Sequence, residues 1–247
     1  MTNVMIRQPG YLPNIGFFKK IQSCDIFVFL DDVQFVKDRF DNRNRIKSSD
    51  GITWITVPLA RPVFGKEMNE VLISYETDWQ NIHCNQIYEN YKSAPFFFSY
   101  WSDIEKILTY KYKKLIDLNF KLIEYFNRAL DITTKTIKSS ELAVTQTKTE
   151  RLIEICSKLN ATCYISGISG KDYLNEKLFL NSGIKLIYEN FIHPTYRQLH
   201  GNFIDNLSII DLLMNEGPNS KKIINDSTNL PKFIVLLFSY QFKPYFD

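Results

Sequence analysis

Apolar positions recur along this chain with two different periods, and the switches between them outline the elements. Residues 4–6 form a short apolar run that breaks into Pro9, Gly10 and Pro13 before an apolar-periodic segment starting near Asn14. That is the pattern of a strand, a tight polar loop and a helix. Residues 26–30 are a second apolar run ending in Asp31 and Asp32, which suggests a βαβ unit with two carboxylates at the strand edge where open α/β sheets bind ligands. Residues 44–47 and 53–57 predict a hairpin across Ser49-Asp50-Gly51, with Trp54 half buried. Residues 71–74 read as a short strand. A helix follows from Asp78, an N-cap residue, to Tyr91, with Trp79, Ile82, Gln86 or Ile87, and Tyr91 as its apolar stripe.

Residues 95–130 are aromatic and helical, an insertion expected to close over one end of the sheet. From Ile132 onward a strand, a helix (148–159), a strand (162–165), a helix (172–180) and a strand (184–188) alternate. This rhythm predicts parallel strands with right-handed crossovers. A last helix, 208–215, meets the stop signal Gly217-Pro218. The expectation is an α/β fold with a mostly parallel sheet: one domain over residues 1–220, a helical insertion at about 95–130, and an apolar C-terminal tail at 221–247. In that tail, residues 233–238 are suited to a packed helix or a homo-oligomer contact.

Composition narrows the function classes. The 247 residues are 45% hydrophobic and 23% charged, with a net charge of +3. Disorder and a nucleic-acid surface are therefore not expected. No apolar run approaches a bilayer span and no signal-peptide pattern opens the chain, so the cytoplasm is the expected compartment. Cys24, Cys84, Cys156 and Cys163 lack metal-ligand spacing and read as reduced packing residues; His83, His193 and His200 lie in separate segments, so no zinc site is expected.

Six places along the chain carry candidate chemistry. Arg43, Asn44 and Arg45 lie in a cluster suited to gripping phosphate or carboxylate oxygens. Ser166, Gly167, Gly170, Lys171 and Tyr173 follow a strand and precede a helix, so their turn can hold a phosphate, although the spacing is not that of a Walker loop. Asp31 and Asp32 can hold Mg²⁺, or orient Arg43 or Arg45. His83 and His193 are candidates for proton transfer or phosphate contact. Ser208 reads equally as a helix cap or as an anion-binding terminus. No pattern supports a covalent nucleophile.

The motifs Gln8-Pro9-x-Tyr11-Leu12-Pro13-x-x-Gly16, Asn42-Arg43-Asn44-Arg45-Ile46, Trp54-x-x-Val57-Pro58, Ser166-Gly167-x-x-Gly170-Lys171-x-Tyr173 and His193-Pro194-x-Tyr196-x-Gln198 resemble the WbqC-like family of bacterial surface-polysaccharide gene clusters. The likeness runs in order over about residues 3–218. It departs at Arg7, where the family usually has histidine. The resemblance implies Arg7, Gln8, Tyr11, Gly16, Asn44, Tyr196 and Gln198 as further substrate- or nucleotide-binding residues, and His83, Asp31 and Asp32 as catalytic ones. It also implies an amide-forming transferase or ligase that places a glycyl or similar group on a nucleotide-linked or lipid-linked amino sugar of O-antigen. The order of elements is similar to the nucleotidylyltransferase-like fold, which activates carboxylates with ATP and Mg²⁺; Gly16-Phe17 stands where that fold has Gly-His. A glycosyltransferase and a non-catalytic assembly partner are the alternatives.

Overall fold

The computed structural model describes residues 1–37 and 39–227. Five strands form one parallel sheet: β1 (Asn3–Arg7), β2 (Ile26–Phe29), β5 (Lys135–Lys138), β6 (Cys163–Gly167) and β7 (Lys185–Glu189), in the order β5-β2-β1-β6-β7. The remaining two, β3 (Arg43–Ser48) and β4 (Gly51–Thr56), make a separate antiparallel hairpin. The chain runs outward from β1 to one edge and then from β6 to the other. This is the Rossmann-like arrangement, and its direction reverses between β1 and β6.

Alternation along the strands sorts side chains to the two faces. Met5, Phe27 and Phe29 face one core, covered by Phe18 and Ile21 of α1 (Ile15–Gln22) and by Leu122 and Phe126 of α4 (Leu115–Ala129). Val4 and Val28 face the other, covered by Ile155 of α5 (Lys148–Lys158) and Phe179 of α6 (Glu176–Asn181). Residues 95–130 are helical as α3 (Phe97–Thr109) and α4, and α4 lies on a face of the sheet: Phe120 packs edge-on against Phe29 and Phe126 against Phe18. The hairpin turns where expected, at Gly51, whose φ of +106° a side chain would strain.

Two expectations are corrected. Residues 71–74 form no strand, because their backbone bonds are split between segments on either side: Leu72 accepts from Ala60 and Ser74 donates to Pro58, while Val71 accepts from Leu115 and Ile73 donates to Lys113. No ladder can propagate from such single bridges. On α2 (Trp79–Tyr91) the buried stripe is Trp79, His83, Ile87 and Tyr91, at intervals of four, and Ile82 is half exposed. The tail residues 228–247 lie outside the described residues; α8 (Ser220–Asp226) precedes them.

A buried polar knot ties the hairpin, α2 and α7 (Ile209–Glu216) together. The fully buried Asp211 accepts from Tyr91 Oη at 2.9 Å and Tyr196 Oη at 2.8 Å, and Tyr91 Oη accepts the Lys47 backbone N–H at 2.9 Å. Lys47 Nζ donates to Gln198 Oε1 and the Asn202 carbonyl, pinning the irregular segment between β7 and α7. Replacing Tyr91 with Phe removes a donor and an acceptor from buried partners. The expected loss is about 1–3 kcal/mol of unfolding free energy at unchanged urea slope, and an unchanged urea midpoint contradicts this role.

Candidate functional site

The loop after β1 and the segment before β3 enclose a cavity of about 350 Å³ whose wall includes Arg7, Gln8, Asn14, Phe40, Asp41 and Asn44. Its walls are fixed through backbone. Tyr11 N–H donates to the Phe40 carbonyl, and Gly10 passes so close that a Cβ would stand 3.0 Å from that oxygen. The fully buried Asn119 of α4 donates from Nδ2 to the carbonyls of Pro9 (3.1 Å) and Asp41 (2.8 Å). Asn44 Nδ2 donates to the carbonyls of Tyr11 and Leu12 at 3.2 and 2.7 Å. Two amides thus replace the ladder that an irregular loop lacks.

Arg7 of the cavity wall stands at the reversal point of the sheet, where a second cation lies close to it. Arg7 ends β1, and Lys20 reaches it from α1, whose side chains tilt back toward the helix start. Lys20 Nζ lies 2.8 Å from where a Cβ on Gly167 would stand, so the end of β6 is in close contact with the lysine head. Neither cationic head has a hydrogen bond or an ion pair among the described residues. Desolvation, with Arg7 beside it, lowers the Lys20 pKa to about 8 against the opposing pull of Glu189. Arg7 is open to solvent yet crowded by protein, which lowers its pKa, while Asp41 acts in the other direction. On the wall, buried Asp41 has its Oδ2 without a partner, and desolvation raises its carboxyl to about 6 despite Arg7 and Arg39.

The WbqC-like protein family model matches residues 8–223, from the loop that follows Arg7 to α8. The chain belongs to the WbqC-like family. A relative, "Uncharacterized protein Rv1507c" of Mycobacterium tuberculosis (strain ATCC 25618 / H37Rv), is 36% identical over 220 residues, which are 88% of this chain and 95% of that protein. No solved structure matches.

In this WbqC-like protein the motif residues divide into two groups. Arg7, Gln8 and Asn44 reach the cavity, Gly167 lies beside Lys20, and Tyr173 is exposed near enough for its hydroxyl to influence Arg7. The others hold the scaffold. His83 is buried between Tyr11 and Trp79, bonded through Nδ1 to Tyr11 Oη at 2.9 Å, and desolvation lowers its pKa to about 4. It does not line the cavity, and neither does Tyr11. Asp31 accepts from Ser140 N–H and Oγ at 2.9 and 2.6 Å, while Asp32 pairs with Arg151 at 2.5 Å and contacts Ser139 Oγ. Both acids therefore fix the turn after β5, and the Mg²⁺ expectation loses its ligands.

Arg45 donates to the Asn206 carbonyl at 3.0 Å and, with Arg43, flanks Trp54. Gly16 packs against Phe191, Ser166 abuts Gly170, and Lys171 Nζ lies 5.3 Å from the Tyr188 ring centroid. Tyr196 and Gln198 serve the Asp211 knot. His193 bonds the Pro194 carbonyl through Nδ1 at the rim of a different cavity, and Ser208 caps α7 by accepting from Ile210 N–H. Lys20, Asp41 and Glu189 were not foreseen.

Asp41 gives the site a pH signature. Its folded pKa of about 6 lies above its ordinary value of 3.8, so the folded state holds the proton more tightly. The stability of the wild type relative to Asp41→Asn should then fall as pH rises from about 4 to about 6 and level off beyond, by up to about 3 kcal/mol. Urea unfolding of both proteins across that range checks this, and a pH-independent difference contradicts it.

Proposed function

We propose that this protein forms an amide between an acyl group and the amine of a phosphate-linked amino sugar. Membership of the WbqC-like family suggests a polysaccharide-related function. The observation that carries the finer reading is the placing of Arg7 and Lys20, two cations without ion-pair partners among the described residues, near a carboxylate of raised pKa. Adjacent like charges without ion-pair partners favour a divalent anion, and a diphosphate linkage supplies one.

Asp41 then acts on the other end of the substrate. An amino sugar arrives as an ammonium; the free Oδ2 accepts its hydrogen bond and takes one proton, which a group of pKa about 6 can do near neutral pH. The exposed nitrogen lone pair forms the N–C bond. The bond from acyl carbon to leaving group breaks with its electron pair on the leaving group, and nitrogen releases its second proton to solvent water. Gln8 and Asn14 line the space between anion and amine. The two cations are equally suited to the phosphates of ATP as the activating cofactor. Mg²⁺ held by Asp31 and Asp32 does not fit, since both are committed to Ser139, Ser140 and Arg151, and no step is assigned to it.

The test is incubation with an amino sugar, presented as a nucleotide conjugate and as a polyprenyl diphosphate, together with glycine and ATP, read by mass spectrometry. An acyl increment on the sugar is expected. Arg7→Ala and Lys20→Ala should each raise KM by at least tenfold, matching the loss of a charge-assisted contact worth about 1.5–3 kcal/mol. Asp41→Asn should lower kcat with little change in KM. A hexose increment, or no product with any donor, overturns the reading.

A further inference from the structure

We infer that Phe40 and Trp54 form a stacking shelf for the base of a nucleoside diphosphate whose phosphates lie on Arg7 and Lys20. This rests on the phosphate reading above and adds the chemical class of the group attached to the phosphate.

The shelf begins inside the cavity and continues onto the surface. Phe40 lines the cavity together with Arg7 and is 40% exposed; Trp54 is 45% exposed, and their ring centroids are 5.8 Å apart at an interplanar angle of 32°. Trp54 stands on the outer side of β4, opposite Arg45 in register, while its neighbour Ile55 turns into the core. The chain therefore places a large aromatic ring outward on a hairpin whose inner side is already filled. The Arg43 and Arg45 guanidinium carbons are 4.7 and 5.8 Å from the Trp54 centroid. Arg45 Nε is buried without a hydrogen-bond partner, so its donors are incompletely used at the edge of the shelf. Aromatic rings beside arginine are how proteins hold bases of any sequence, since each base offers a flat face and carbonyl or ring-nitrogen acceptors.

Charge sets the direction. Among the described residues lining the cavity, Asp41 is the one carboxylate, and it is the place for an ammonium. The rim carries Arg39, Arg43 and Arg45, which repel an ammonium and accommodate an uncharged base. A lipid-linked substrate offers no planar ring to such a rim.

The test uses the three tryptophans. Trp79 and Trp101 are buried and Trp54 is not, so acrylamide-accessible fluorescence reports on Trp54. Inorganic pyrophosphate, uridine and guanosine diphosphates, adenosine diphosphate and farnesyl diphosphate are titrated in turn. At least one nucleoside diphosphate should bind tenfold or more tighter than pyrophosphate and shield Trp54 from acrylamide; adenosine diphosphate points to ATP as the source, the other two to a nucleotide sugar. Measured by titration calorimetry, Trp54→Leu should erase that advantage and bind pyrophosphate as the wild type does, whereas Arg7→Ala should weaken every ligand. If pyrophosphate binds and no nucleoside improves on it, or farnesyl diphosphate binds tightest, the shelf is overturned and the phosphate reading stands. If none of the five binds, both fall.

Discussion

Two positive charges held near each other, neither with an ion-pair partner among the described residues, are the constraint on which the rest of this structure depends. Arg7 is delivered by the end of β1 and Lys20 by the following helix, and each raises the cost of charging the other. Their proximity is forced by chain geometry: α1 packs Phe18 and Ile21 against the sheet, so its next residues project toward the gap between β1 and β6. Gly167, at the end of β6, lies against the Lys20 head. A folded protein maintains such repulsion only when the surrounding packing over-determines it, and the proposed function has an external anion complete the electrostatics there.

The remaining polar structure makes that packing rigid. Asn119 and Asn44 hold the two cavity loops by their carbonyls, so Asp41 keeps its place although no strand or helix contains it. One layer further out, Asp211 joins two tyrosines and, through Tyr91, the hairpin. The hairpin in turn carries Asn44 into the wall and Trp54 onto the rim. Most of the side chains that looked chemically active are therefore supports, one remove from the cavity.

The architecture was legible because its signals are local. Pro and Gly clusters, the Asp50-Gly51 turn and the switch between periods two and 3.6 follow from backbone sterics within a few residues. The site was legible only where it coincides with a strand end, as at Arg7, Gln8 and Gly167. Lys20 escaped because a helical lysine reads as a solvated residue until the strand order places β6 beside it. Asp41 escaped because residues 31–41 show no period. His83 misled for the opposite reason. The alternation of four along α2 admits either Ile82 or His83 to the buried stripe, and an imidazole with a tyrosine partner is as well accommodated as a methyl-bearing side chain. Asp31 and Asp32 stand at the strand edge as expected, but the serines that satisfy them arrive from more than a hundred residues away.

The central claim is that an anion completes the Arg7–Lys20 pair, and the Lys20 ammonium itself reports on it. Side-chain carbon NMR of labelled lysine, assigned with Lys20→Arg, gives its titration with and without inorganic pyrophosphate. The account predicts a pKa near 8 in the free protein that rises toward the ordinary lysine value of about 10.4 when pyrophosphate binds. A Lys20 that already titrates at the ordinary value, or one that pyrophosphate leaves unmoved, contradicts it.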